Sequence, residues 1–259
     1  MSEVIENKIY TNHIGKLVIK APAIATRVQA GQFVHIRLPD QREHILRRPF
    51  GIYRCNVEHS TIEIVYQVVG AGTQHMMELK TGFKLDLMGP LGHGWTCNTD
   101  IDYGKKNLLL VAGGIGAAPI YMLAEKTLPY ANVTVLMGAQ DEESLVMSED
   151  FENLLGGNRV HLYTDNGSKG CKGLCTEPLR DLISSEKIDY IAACGPYPML
   201  RVVAQHAHEA GIICEVSLEE RMACGIGSCL SCVVDTHEGK KRVCTDGPVF
   251  RADEVIWHD

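Results

Sequence analysis

From Lys8 to Cys97 the apolar positions come in short runs, each closed by glycine, proline or a polar residue: KLVIKAP, GQFVHIRLP, FGIYRC, TIEIVYQVVG and FKLDLMGPLG. Runs of this length with turn residues between them predict strands of a small antiparallel β barrel. One helix, from Thr73 to Leu79, interrupts them. Beyond Tyr103-Gly104-Lys105 the rhythm changes. NLLLVAGG leads into IGAAPIYMLAEKTL, NVTVLMGA into SEDFENLL, and YIAACGP into YPMLRVVAQHAHEAG, with RVHLYTD between them. Continuous apolar strands need cover on both faces and the helical segments supply it, which predicts α/β architecture with a doubly wound parallel sheet. From Cys214 onward too little apolar sequence remains for an independent core, and a metal site would supply one. The pattern divides the chain into residues 1–98, 99–213 and 214–259.

The cysteines change the picture of that last segment. Three of them, Cys224, Cys229 and Cys232, fall within nine residues and Cys244 follows twelve positions later. The spacing C-x4-C-x2-C with a distant fourth cysteine is that of plant-type [2Fe-2S] ligands. Structural zinc prefers two paired knuckles and is the alternative. Gly225, Gly227, Ser228 and Ser231 leave room for backbone N–H groups to approach cluster sulfurs. Cys55, Cys97, Cys171, Cys175, Cys194 and Cys214 are scattered and read as small buried apolar residues.

Charge and composition narrow the partners. The net charge is -7, which disfavours nucleic acid and anionic membranes. The first residues, MSEVIENKIYTN, lack the features of a signal peptide, and no run reaches the roughly 18 apolar residues of a membrane span. A cytoplasmic location with reduced thiols is expected.

Three glycine-containing turns and one basic pair suggest nucleotide binding. Gly113, Gly114 and Gly116 stand between an apolar strand and a helix, where backbone approaches a pyrophosphate; a structural glycine turn is the competing reading. Cys194, Gly195 and Pro196 form a second turn predicted at the same sheet edge. Arg47 and Arg48, beside Phe50, offer guanidinium groups for a phosphate and a ring for stacking, or else a solvated strand end. Gly70, Gly72 and Thr73 precede the predicted helix, whose start suits a diphosphate.

The order RRPFG, VGAGT, GPLGHGW, GGIGAAP, CGPYPM resembles the ferredoxin-NADP reductase superfamily. With CGIGSCLSC and Cys244 appended, the whole chain resembles the family of electron-transfer subunits of type B dihydroorotate dehydrogenases. The resemblance implies an FAD-binding β barrel, an NAD-binding α/β domain and a [2Fe-2S] segment. It assigns FAD to Arg48, Pro49, Phe50 and Gly51, to Val65, Tyr66 and Gln67, and to Gly72 and Thr73. It assigns NAD(H) to Gly113, Gly114, Gly116, Cys194, Gly195 and Pro196, and the cluster to Cys224, Cys229, Cys232 and Cys244. Gly51 departs from the family, which commonly has a hydroxyl residue there near the flavin. The acidic stretch Gln140-Asp141-Glu142-Glu143, without an arginine for a 2'-phosphate, favours NADH over NADPH, or else caps a helix.

The implied activity is oxidoreductase electron transfer between NAD(H) and an FMN-containing dihydroorotate dehydrogenase catalytic subunit, in a two-plus-two heterotetramer of pyrimidine biosynthesis. No protein acid or base is needed, and the histidines read as surface or packing residues. Subunits of ferredoxin-NADP transhydrogenases, sulfide dehydrogenases and sulfhydrogenases share these motifs. A zinc- or redox-dependent regulatory module is the alternative outside this chemistry.

Overall fold

The computed structural model describes residues 1–38, 46–96 and 106–258; Cys97 and the expected boundary at 98/99 lie outside them. The first part is a curved antiparallel sheet of seven strands: β1 Ser2–Ile9, β2 Ile14–Lys20, β3 Phe33–Arg37, β4 Arg48–Gly51, β5 Arg54–Asn56, β6 Thr61–Gln67 and β7 Lys84–Leu91, in the order β4-β3-β7-β1-β2-β6-β5. Its helices are α1 Pro22–Ala25 and α2 Ala71–Met77. Alternation decides which side chains enter it: Leu17, Ile19, Val34, Ile36, Ile62 and Ile64 fill the interior, while their neighbours on each strand point outward.

The second part is a parallel sheet with helices on both faces. Strands β8 Lys106–Gly113, β9 Ala131–Ala139, β10 Val160–Thr164, β11 Cys171–Lys172, β12 Tyr190–Cys194 and β13 Ile213–Ser217 run in the order β11-β10-β9-β8-β12-β13. Helices α3 Ala117–Thr127, α4 Ser148–Leu155, α5 Leu179–Glu186 and α6 Tyr197–Ala210 connect them. The unbroken apolar run of β8 serves two cores at once: Leu108 and Leu110 join the core shared with the barrel, and Leu109 and Val111 the core on the opposite face.

The C-terminal segment adds the hairpin β14 Val233–Thr236 with β15 Gly239–Arg242, then β16 Val249–Arg251, which pairs antiparallel with β13 as the seventh strand of the second sheet. The expected boundary at 213/214 therefore falls inside β13. Cys232 and Cys244 are buried in one core with Phe33 of the barrel, Val216 of β13 and Phe250. The segment borrows its apolar packing from both neighbours.

Barrel and nucleotide sheet are joined by specific contacts. The Tyr53 and Tyr121 rings lie 4.7 Å apart, the Tyr53 hydroxyl donates to Asp150 at 2.7 Å, and Arg54 meets Glu125 at 3.3 Å. Burial pushes the Tyr53 hydroxyl above its ordinary range, so it remains a donor.

Candidate functional site

The two glycine turns predicted from sequence meet at one sheet edge. β8 ends at Gly113, a 3-10 turn spans Gly114–Gly116, and α3 follows. A Cβ on Gly113 would lie 2.6 Å from Pro196 Cδ, and one on Gly116 2.5 Å from the Cys194 carbonyl oxygen. Each turn thus fits only because the other lacks side-chain bulk, and Gly114, at φ +53°, occupies the left-handed region. Together they wall a cavity of about 810 Å³ that runs to Gly138, Gln140 and Ser144 at one end and reaches Gln67 of the barrel. Cys194 packs its carbonyl on Gly116, and its thiol is buried, which pushes its pKa up.

At the far end of that cavity the acidic stretch takes the second of its two sequence readings, the cap. Asp141 accepts hydrogen bonds from the Ser144 N–H and hydroxyl at 3.0 and 2.7 Å, so it caps a turn. The carboxylate that lines the cavity there is Asp165, which follows the last residue of β10. Sequence reasoning missed it, although the end of a strand at the carboxyl edge of a parallel sheet is the signal for such a residue. Glu219 also lines the cavity, and its partly desolvated surroundings raise its carboxyl above the usual range.

The two arginines of the barrel separate. Arg47 pairs with Asp86 at 2.6 Å and is committed to the barrel. Arg48 lays its guanidinium against the start of α2, where a Cβ on Gly72 would fall 2.5 Å from its Cζ. An arginine facing a helix start is an arrangement able to hold a phosphate. Thr73 stands in that turn, but its hydroxyl accepts from Val69 N–H at 2.9 Å and Gly70 N–H at 3.2 Å. Its side chain shapes the loop and leaves only its backbone to face a ligand.

Along β6, Tyr66 turns inward. Its hydroxyl meets Asn7 Oδ1 at 3.2 Å, and burial pushes its pKa up to about 12. Of the three β6 residues that the resemblance assigns to FAD, the Val65 and Tyr66 side chains are buried and Gln67 is exposed beside the cavity. Gly51 pairs with Phe33 and faces Pro119 of α3, where an added Cβ would make ordinary contact at 3.5 Å. Pro49 and Phe50 are half-buried on the same strand.

The thiols of the cysteine loop stand close enough to influence one another: Cys229 acts on Cys224, and both Cys232 and Cys224 act on Cys244. The Ile226 and Cys229 N–H groups donate to Cys224 Sγ, each at 3.4 Å, and the Gly227 N–H donates to Cys244 Sγ at 3.2 Å. These donors lower the Cys224 pKa to about 6, favouring thiolate, whereas burial raises Cys244 to about 11. Backbone N–H groups donated to thiol sulfurs suit an anionic [2Fe-2S] cluster. The loop rests on the barrel: a Cβ on Gly225 would lie 2.5 Å from His35 Nδ1 and 3.0 Å from Met88 Cε.

An antiparallel flavin-type barrel, a parallel nucleotide sheet and a cysteine loop packed on both define a reductase with the ferredoxin-NADP reductase fold. The same fold is seen in a ferredoxin NADP+ reductase from Neisseria gonorrhoeae, with TM-score 0.68 and 17% identity over 84% of this chain and 98% of that one. The model of the iron-sulfur cluster binding domain of dihydroorotate dehydrogenase B matches residues 219–256, and that of the oxidoreductase NAD-binding domain residues 110–205. The electron transfer subunit of dihydroorotate dehydrogenase B (NAD(+)) from Desulforamulus reducens is 37% identical, covering 92% of this chain and 90% of its own. The chain belongs to the family of dihydroorotate dehydrogenase B electron transfer subunits. A chain from the structure of an NADH-dependent reduced ferredoxin-NADP oxidoreductase is also similar, with TM-score 0.87 and 31% identity over 99% of this chain and 90% of that one.

Proposed function

We propose that this chain is the electron-transfer half of a two-component enzyme that oxidises dihydroorotate to orotate, passing electrons between a catalytic subunit and NAD(H). The observation that carries the reading is the seating of the cysteine loop on β3, the strand paired with Arg48–Gly51 of β4. A cluster site built there shares a strand pair with a flavin site.

When bound, FAD exchanges a hydride with the nicotinamide and single electrons with the [2Fe-2S] cluster. Arg48 and the start of α2 hold the FAD diphosphate. The turns at Gly113–Gly116 and Gly195–Pro196 would hold NAD(H), and Pro119 packs beneath the strand of Gly51. Cys224, Cys229, Cys232 and Cys244 ligate the cluster. Hydride transfer requires orientation and exclusion of water, and no side chain moves a proton. The three units we assign are the barrel to about residue 98, the nucleotide domain through β13 and the cluster segment beyond, which returns β16 to the nucleotide sheet. The location we assign is cytoplasmic, where clustered thiols stay reduced.

The partner is an FMN-containing dihydroorotate dehydrogenase catalytic subunit in a two-plus-two heterotetramer. Purified alone, the chain is expected to oxidise NADH with artificial acceptors and to leave dihydroorotate untouched; the native complex, captured through this chain, converts it to orotate. Dihydroorotate turnover by the isolated chain sinks the proposal. The likeness to the ferredoxin-NADP oxidoreductase chain supports a second reading as a subunit of a transhydrogenase. Captured native complexes that reduce ferredoxin or NADP and never dihydroorotate would favour it.

Asp165 sets coenzyme choice in this account, accepting hydrogen bonds from a ribose diol and repelling a 2'-phosphate. Asp165→Ser is expected to narrow the preference for NADH over NADPH by about tenfold or more in kcat/KM. An unchanged ratio would place the adenosine ribose elsewhere.

A further inference from the structure

His35 stands out among the polar groups of the barrel. It is fully buried on β3, and neither ring nitrogen has a hydrogen-bond partner among the described residues. The Arg47 main chain approaches the ring without meeting hydrogen-bond geometry. Burying an unpaired imidazole costs free energy, so such a group ordinarily has a partner. The Nδ1 edge of the ring lies directly against Gly225, the residue after Cys224, and Gly225 at φ +70° brings its backbone that close because it has no side chain. On the neighbouring strand His35 stands opposite Pro49 of the flavin-site strand. Phe33, on the same face of β3, packs in one core with Cys232 and Cys244. This face of β3 is the floor of the cysteine loop.

We infer that His35 donates an N–H hydrogen bond to the [2Fe-2S] cluster or its Cys224 ligand and thereby raises the cluster's reduction potential. The inference rests on the reading of the loop as a [2Fe-2S] site. An imidazole carries at least one N–H whatever its protonation state. A donor on a cluster sulfur stabilises the reduced form, which bears the extra negative charge. Backbone N–H groups already serve Cys224 and Cys244 from the loop itself. His35 supplies a side-chain donor from the barrel, on the face nearest the flavin strand. It is a positioning and tuning residue that takes no electron.

The test uses full-length chain purified with its flavin and cluster, or reconstituted with iron and sulfide. In His35→Leu, iron and FAD content are expected to hold. At any fixed potential the ratio of reduced to oxidised cluster falls about tenfold, which is a downward shift of ~59 mV for one electron. His35→Gln, which keeps an N–H, is expected to shift less than half as far. Pulsed EPR of the reduced wild-type cluster, with histidine labelled by nitrogen-15, is expected to show one coupled imidazole nitrogen. Should His35→Leu fail to fold or lose its cluster, that spectrum decides. Absence of the coupling, equal shifts in both variants, or a shift confined to the flavin potential overturns the inference. A wild-type chain that takes up no iron overturns the [2Fe-2S] reading itself, and is recognised by iron assay before any variant is made.

Discussion

Cys229→Ala is expected to lose the [2Fe-2S] cluster, with iron falling from about two per chain to near zero, while FAD and the fold are retained. Cys229 is exposed, so truncating it removes a ligand and almost no packing. Visible absorbance, iron and flavin assays and a thermal melt measure the three outcomes. Cys244→Ala makes the informative contrast. Cys244 is 1% exposed in a core with Phe33, Val216 and Phe250, so its loss also removes buried contacts worth on the order of 1 kcal/mol. Its melt should fall further than that of Cys229→Ala. NADH oxidation with artificial acceptors survives in Cys229→Ala, and delivery to the partner drops by about a hundredfold or more, since the one-electron outlet is gone. Loss of FAD together with iron from Cys229→Ala would mean that the flavin and cluster sites are one structural unit.

Gly72→Val strikes the other cofactor. Its Cβ would occupy the space of the Arg48 guanidinium, with Cζ at 2.5 Å, and the valine methyls would extend the clash. The guanidinium must swing off the helix start, and the phosphate cradle loses its charge and its fork of donors together. FAD affinity is expected to fall at least about a hundredfold, ~2.8 kcal/mol. Flavin fluorescence titration of the stripped chain measures it. Far-ultraviolet circular dichroism should be unchanged, because α2 keeps its Thr73 bonds to the loop. Arg48→Lys, retaining charge but not the planar fork, is expected to fall between the two. Full FAD binding by Gly72→Val would remove this cradle from the flavin site.

Much of this architecture is legible in the sequence because burial writes itself into period. β8 is buried on both faces and reads as an unbroken apolar run, and SEDFENLL coincides with α4, Ser148–Leu155. β1 escapes the reading because Val4 is its only fully buried residue, the strand being held by pairing with β2 and β7. Backbone ladders leave no mark on hydropathy. The site divides along the same line. Glycine turns and cysteine spacing are visible because backbone approach and ligand geometry restrict residue type. Side-chain direction is not, so Tyr66 turned inward, Thr73 became a loop cap and Arg47 paired with Asp86. Asp165 and His35 acquire meaning only when the fold brings the end of β10 to the cavity and β3 beneath the cysteine loop.

The central claim is that electrons entering as hydride leave this chain singly through the cysteine loop. Anaerobic mixing of the purified chain with NADH, followed by rapid freezing and EPR, tests it most directly. The account predicts that flavin bleaching is followed by the signal of a reduced [2Fe-2S] cluster, absent from Cys229→Ala. Flavin that bleaches fully while the wild-type cluster remains oxidised would contradict it.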